Sequence, residues 1–507
     1  MAIAGIDIGT TGCKCTVYDR KGRFVSEAYK EYLPGSTDEH TMMDAAMVWN
    51  DAKEVLREAA SQLQVPLEAI GVTSFGEAPI WLDRQMKPMA PSMLYTHPGG
   101  QLQCVRLTQH FGKGYITQTT GLNPHPMYSI SKLMYAREQN PELAKDCRGI
   151  CCFGDFIVYM LSGVRQMDYS LASRTMAFDI NTLKWDEAIL EYACIDKSWM
   201  PEPVPIGSIA GKIRSSVAEE LGIGGEVIIV SGCHDQIAAA IGTGAYRPGM
   251  AVDGTGTVEC MTPVFGREVN RELLYAGSYP VVPFLDDAYV TYAVSFAGGA
   301  LLKWYRDKLA YMEAAEARKQ GVNPYDVFNN RIDNSKPSGL LVLPHFTGGG
   351  TPYMDPGSKG AIFGLTAETA SVEIYQALME GVTFEMALNM ERLSAVGIQI
   401  HTLRATGGGA LSPAWLQMKA DILNRPVVSL GAAQSGTLGS VMLAGVACGV
   451  YASLQEAESA LIKIGLTYEP DPQKHERYQS WYRKYKKCYE AVKSVMTADE
   501  EEKIYDT

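Results

Sequence analysis

The sequence predicts an α/β protein assembled from two similar halves, and three observations carry that expectation. The chain opens on strand-like segments at 3–8, 13–18 and 23–29, separated by Gly9-Thr10-Thr11-Gly12 and Asp19-Arg20-Lys21-Gly22, a pattern for two antiparallel hairpins. A similar unit returns mid-chain at 250–261, where apolar residues flank Gly254-Thr255-Gly256-Thr257. Between the strand clusters, segments such as 45–63, 131–139, 371–393 and 412–423 place apolar residues at the three- and four-residue spacing of a helix.

Length agrees with duplication, because 507 residues exceed the roughly 100–200 usual for one domain. The stretch Gly242-Thr-Gly-Ala-Tyr-Arg-Pro-Gly249 suits a boundary, giving a first domain over 1–245, a second over 246–490 and a charged tail over 491–507. With 46% hydrophobic and 20% charged residues, the composition excludes a disordered or coiled-coil chain. Lys and Arg total 45 against 57 Asp and Glu, a net charge of −12, and no basic patch offsets it, so nucleic-acid partners are not expected. Asp7 interrupts the N-terminal segment before the apolar core of a signal peptide can form, and no apolar run of about 18 residues occurs, so neither export nor a membrane span is expected. Eleven scattered cysteines without a Cys-x-x-Cys pair suit a reducing cytoplasm.

Four constellations carry chemistry. In the first, Gly5-Ile-Asp7-Ile-Gly9-Thr10-Thr11-Gly12, small residues at a tight turn let backbone N–H groups and hydroxyls approach a phosphate chain, while Asp7 offers a carboxylate for a hydrated Mg²⁺. The alternative is an ordinary glycine-rich hairpin. The second, Gly254-Thr255-Gly256-Thr257, repeats that turn in the other half, so each half would present one phosphate-binding hairpin. The third, Arg404-Ala-Thr-Gly407-Gly408-Gly409-Ala410, leads to Ser412 and Pro413, a good N-cap and first helical residue, and backbone that bare admits a nucleotide base or its phosphates.

The fourth is Glu226-Val-Ile-Ile-Val-Ser-Gly232-Cys-His234-Asp235-Gln236, read as a buried-type strand, a sharp turn at Gly232 and a carboxylate at Asp235. Ligands of α/β sheets lie beyond the carboxyl ends of strands, which favours Asp235 for catalysis. It is equally suited to cap the apolar segment 237–241. At a helix N-terminus it would stay ionised, with no need of a raised pKa. Thr437-Leu-Gly439 opens an Ala/Gly-rich helix whose small residues suit close helix packing.

The ordered set of Gly5–Gly12, Gly71-Val-Thr-Ser-Phe75-Gly76-Glu77-Ala78, Gly232–Ile237, Gly254–Thr257 and Gly407–Ala410 resembles the FGGY carbohydrate kinases, among them xylulose, glycerol, L-fuculose and ribulose kinases. The resemblance implies two actin-like, ribonuclease-H-like ATPase domains around a cleft, with ATP and Mg²⁺ mostly on the second and a sugar or polyol mostly on the first. A homodimer is an expectation of the family only. By the same resemblance Asp235 is the general base and, with Asp7, a metal-associated acid. Gly9, Thr10 and Thr11 form the first phosphate turn, Thr255, Gly256 and Thr257 the second, and Gly408, Gly409 and Ala410 the nucleotide loop. Phe75, Glu77, His97, His234 and Gln236 fall around the acceptor.

Two departures from the family pattern fall at the acceptor positions. Glu77 stands where glycerol kinases carry Glu after Arg, but here Gly76 precedes it. The segment Met93-Leu-Tyr95-Thr96-His97-Pro-Gly99 lacks the family's usual Arg. The reading is therefore an ATP-dependent kinase for a primary hydroxyl of a small ketose, similar to xylulose kinases. The alternatives are an L-fuculose-, L-rhamnulose- or glycerol-type kinase, a catalytically silent sugar or nucleotide sensor, and, less favoured, a chaperone-like ATPase.

Overall fold

Near-continuous apolar runs make central, two-sided strands, and alternating runs make edges. The computed structural model, which describes residues 1–32, 41–431 and 435–496, follows that rule. Strands β1 (Ala2–Ile8) and β4 (Leu67–Ser74) are almost wholly buried, whereas β3 (Phe24–Glu31) alternates between buried and exposed positions. With β2 (Gly12–Asp19), β5 (Ser208–Lys212) and β6 (Ile228–His234) they form a six-stranded sheet in the order β5-β6-β4-β1-β2-β3. Its pairings run antiparallel, parallel, parallel, antiparallel, antiparallel.

The second sheet repeats this succession. Strand β7 (Met250–Thr255) pairs antiparallel with β8 (Glu259–Phe265) and parallel with β10 (Thr402–Thr406), while β9 (Ala293–Ser295) runs antiparallel to β8. Beyond β10 lie β11 (Val427–Leu430), parallel, and β12 (Ile464–Tyr468), antiparallel. The duplication read from two Gly/Thr turns thus extends to a six-strand succession, which recurs within the second, eight-stranded sheet.

The chain divides into two compact units. The first comprises Met1–Gly244, Pro280–Val290 and Gln434–Ile462, and the second Ala245–Tyr279, Thr291–Ala433 and Lys463–Thr507. The chain therefore enters the second unit at Ala245 and returns to the first twice. Residues 491–496, expected as tail, form the end of a helix, Cys488–Met496, in which Val492 is buried. The acidic run at 499–503 lies outside the described residues. Among the described residues no helix is long and apolar enough to cross a membrane.

In the first unit, the core gathers Ile6, Ile8, Val72, Phe75, Phe153 and Phe156 with the Ala45–Ser61 helix, whose apolar face carries Val48, Ala52, Val55 and Leu56. Asp44 caps that helix by accepting from the N–H groups of Ala46 and Met47, which stops it from fraying at the sheet. Two glycines place the Ser435–Ala447 helix against the central strands. A Cβ on Gly5 would come within 2.2 Å of the Thr437 carbonyl oxygen, and one on Gly71 within 2.3 Å of Ser440's. Helix Asp235–Gly242 packs on the same helix through Gly439 and Gly242. The small residues around Gly439 do serve close packing, and they hold the start of the Asp235 helix to the sheet that carries Asp7.

Candidate active site

Strand β6 delivers the first constellation. Gly232 is a strand residue rather than the expected turn: a Cβ there would lie 2.3 Å from the Val72 carbonyl oxygen, so a bare backbone lets β6 pack beside β4. The chain instead turns at His234, which occupies the cap position, and Asp235 is the first helical residue rather than the cap. Its Oδ1 accepts from the Gln236 N–H at 2.6 Å. His234 is fixed from behind, its N–H donating to Ser170 Oγ at 2.9 Å while Ser170 donates to Asp168. The buried His234 ring has its pKa pushed well down by burial and by Arg174, so it is neutral where its Nε2 lies 3.3 Å from Asp235 Oδ1.

Electrostatics overturns one expectation. Asp235 was expected to titrate as an ordinary carboxylate, yet burial, then the charges of Asp7 and Glu77, push it up to about 7 against the opposing Gln236 N–H and Arg174. Desolvation and two like charges outweigh a single helix terminus. A carboxylate with a pKa near 7 is better matched to accepting a hydroxyl proton at neutral pH than an ordinary one.

Glu77 is 4% exposed and has φ of +67°, a conformation rare for a residue with a side chain. Two contacts sustain it: Ser129 Oγ donates to its carbonyl oxygen at 2.9 Å, and Arg174 makes a buried ion pair with its carboxylate, Nε lying 2.5 Å from Oε1. The Arg174 guanidinium sits 5.1 Å from the centre of the Tyr128 ring. Gly76 explains the missing family arginine in steric terms: a Cβ there would lie 2.9 Å from Arg174 Cγ, so this arginine's stem fills the space. Nearby Lys132 is fully buried, its Nζ 3.5 Å from the His97 carbonyl oxygen, and burial pushes its pKa down to about 8 against the pull of Glu77.

The other acceptor candidates are placed less favourably. Phe75 belongs to the core, 5.1 Å from the Phe153 ring, and offers a ligand little beyond wall shape. His97 accepts the Gly99 N–H at 2.9 Å through Nδ1, so that nitrogen serves its own loop. Gln236 is exposed. Sequence reasoning missed Arg174, Tyr128 and Lys132. Lys132 alone left a signal, as a cation among buried neighbours on the Ser129–Gln139 helix.

Asp7 lies near the carboxyl end of β1, opposite Lys14, and burial pushes it up to about 6 against that lysine's pull. The first turn is closed by the Gly9 N–H donating to the Gly12 carbonyl at 3.0 Å. Thr10 is half-buried and Thr11 exposed, and neither hydroxyl bonds another described residue. The Asp7 charge bears on Asp235, and both carboxylates hold protons more tightly than an ordinary one. Such hard oxygen donors with unbalanced negative charge fit Mg²⁺, which takes one or two protein carboxylates and completes its shell with phosphate and water. Among the described residues no three His, Cys, Asp or Glu side chains converge into a metal cage.

The second unit contains a cavity of about 660 Å³, within the usual range for a small-molecule site. Gly256, Thr257, Gly408 and Gly409 border it, with Trp304 and Tyr325 among its aromatic walls. Ser412 caps the Pro413–Leu423 helix by accepting from Trp415 N, as its sequence position predicted. Thr255 borders the cavity too, with its hydroxyl engaged by protein groups. It is 2% exposed, and its hydroxyl is taken by Lys419 Nζ at 2.6 Å and Glu259 Oε2 at 3.3 Å, so only Gly256 and Thr257 of this turn are exposed. Gly408 faces open space, and Ala410 donates its N–H to Gly407 at 3.2 Å.

Comparison with known proteins agrees with this geometry. The family model for the N-terminal domain of the FGGY family of carbohydrate kinases matches residues 2–242, and that for the C-terminal domain matches 276–448. The xylulose kinase of Bacillus subtilis is 26% identical over 504 residues, covering 98% of both chains. The glycerol kinase of Delftia acidovorans is 29% identical over 498 residues, covering 93% of this chain and 95% of its own. Among solved structures, a gluconate kinase from Lactobacillus acidophilus superposes with a TM-score of 0.87 at 23% identity, covering 97% of this chain and 98% of its own. The Plasmodium falciparum glycerol kinase, solved with ADP, gives 0.86 at 21%, covering 96% and 98%. These structures share the fold, which bears out the two actin-like ATPase domains expected from sequence. The chain therefore belongs to the FGGY family of carbohydrate kinases and is a phosphotransferase.

Proposed function

We propose that the protein transfers the terminal phosphoryl group of ATP to a primary hydroxyl of a small ketose, with a polyol as the nearest alternative. The observation that carries this reading is the carboxylate of Asp235, held near neutral pKa beside the buried Glu77–Arg174 pair at the carboxyl end of β6. Asp235 orients the attacking hydroxyl and accepts its proton. Transfer of a phosphoryl group is governed by positioning and charge stabilisation, so orientation is its larger duty. Glu77 and Arg174 hold the neighbouring hydroxyls, the carboxylate accepting and the guanidinium donating.

In the second unit, Gly256, Thr257 and the Gly408–Gly409 loop hold the nucleotide in the 660 Å³ cavity. In the first unit, the turn of Thr10 and Thr11 offers backbone N–H and hydroxyl donors suited to a phosphate chain. Asp7 and Asp235 are the residues that would hold Mg²⁺, which when bound supplies positive charge to a phosphate chain. The names of the relatives, xylulose kinase and glycerol kinase, support an acceptor of this size class.

The test is ADP release from Mg·ATP across pentuloses, hexuloses, deoxyketoses and polyols. At least one ketose is expected to accelerate release well above the rate without acceptor. Release accelerated by none of them, with binding retained, would overturn the ketose and polyol reading and favour a sensor.

A further inference from the structure

A single buried cation ties together the two segments that border the nucleotide cavity. Lys419, on the Pro413–Leu423 helix, is 1% exposed. Its Nζ donates to Asp253 Oδ2 and to Thr255 Oγ1, each at 2.6 Å, and lies 3.1 Å from Glu259 Oε1. Asp253 and Thr255 are on β7 and Glu259 opens β8, so one ammonium group holds both sides of the turn that presents Gly256 and Thr257.

The same lysine reaches the glycine loop through its own helix. Its Nζ lies 4.9 Å from the centre of the Trp415 ring, and Trp415 lines the cavity one turn after Ser412. Thr255 packs so closely on the loop that a Cβ on Gly409 would meet its Cγ2 at 2.5 Å, and one on Gly407 would meet its carbonyl oxygen at 2.6 Å. The turn and the loop are therefore one body, with Lys419 at its centre.

The duplicated hairpins show what this cation does. Each carries an aspartate on its first strand. Asp7 faces Lys14 across the hairpin without an ion pair to it, whereas Asp253 is engaged by Lys419 in a pair that is fully buried. Burial, then the Asp253 charge, push the Glu259 pKa up against the pull of Lys419, which limits the surplus negative charge beneath the turn.

We propose that Lys419 is a positioning residue for the nucleotide, an internal counter-cation that locks the Gly256–Thr257 turn against the Gly408–Gly409 loop. This rests on the reading that the cavity takes the nucleotide. Removing the cation alone would leave Asp253 buried and unpaired, so the informative protein is the charge-balanced Asp253→Asn/Lys419→Met variant, with Lys419→Met beside it.

The experiment measures Mg·ADP binding by calorimetry, and KM for ATP and for the acceptor, on the full-length chain, with urea midpoints recorded in parallel. The double variant is expected to keep a midpoint near wild type, to lose about tenfold or more in Mg·ADP affinity, to raise KM for ATP by a similar factor, and to leave the acceptor KM unchanged. If the double variant also fails to fold, Glu259→Gln replaces it, and the same selective rise in KM for ATP, of smaller size, is expected. Wild-type nucleotide affinity in the folded variant would overturn the assignment of Lys419, as would an equal rise in both KM values. A wild-type protein that binds no Mg·ADP would instead overturn the nucleotide reading of the cavity, and Lys419 with it.

Discussion

Replacing Asp235 with Asn is expected to lower kcat by about 10³-fold or more while acceptor KM stays within a few-fold of wild type. Asn keeps the shape and one oxygen, so the helix start and the bond from the Gln236 N–H survive. What it removes is the anion that accepts the hydroxyl proton. The loss is expected to be electrostatic rather than steric, since burial, Asp7 and Glu77 all push the pKa of this carboxylate up. Steady-state kinetics on the true acceptor checks this, and a variant that turns over at the wild-type rate would remove Asp235 from its role.

Arg174→Met is expected to lower kcat/KM for the acceptor by roughly 10²-fold and to destabilise the fold, because breaking a buried ion pair costs about 3–5 kcal/mol. The pair is almost wholly enclosed, with side-chain exposures of 9% and 5%. Loss of the guanidinium strands the Glu77 carboxylate in a left-handed backbone conformation. The double variant Glu77→Gln/Arg174→Met separates stability from recognition: its urea midpoint should recover toward wild type, since no charge is left unpaired, while acceptor kcat/KM stays low. Recovery of both together would mean that the pair only supports the fold.

Features set by neighbouring residues were legible in the sequence. The Gly9–Gly12 turn, the cap at Ser412 and the two hairpin units depend on residues a few positions apart, and the structure places them as expected. Features set by distant partners were not. Gly232 signals a turn in isolation, but its bareness answers to the Val72 carbonyl of another strand. Arg174 lies 97 residues from the glutamate it pairs with, and nothing local marks it. The same distance hides the titration of Asp235, because its helix terminus is visible in the sequence and the crowd of charges around it is not. Lys419 was legible in principle, falling one helical turn after Trp415 on the face that also carries Ile422 and Leu423. A cation on an apolar stripe marks a buried partner somewhere in the chain.

The most direct measurement is a crystal structure with the preferred acceptor and a non-hydrolysable ATP analogue. The account predicts one primary hydroxyl oxygen about 2.6–3.2 Å from the Asp235 carboxylate, with adjacent hydroxyls bonded to Glu77 and Arg174. An acceptor bound with no hydroxyl within reach of Asp235, or bound away from the Glu77–Arg174 pair, would contradict it.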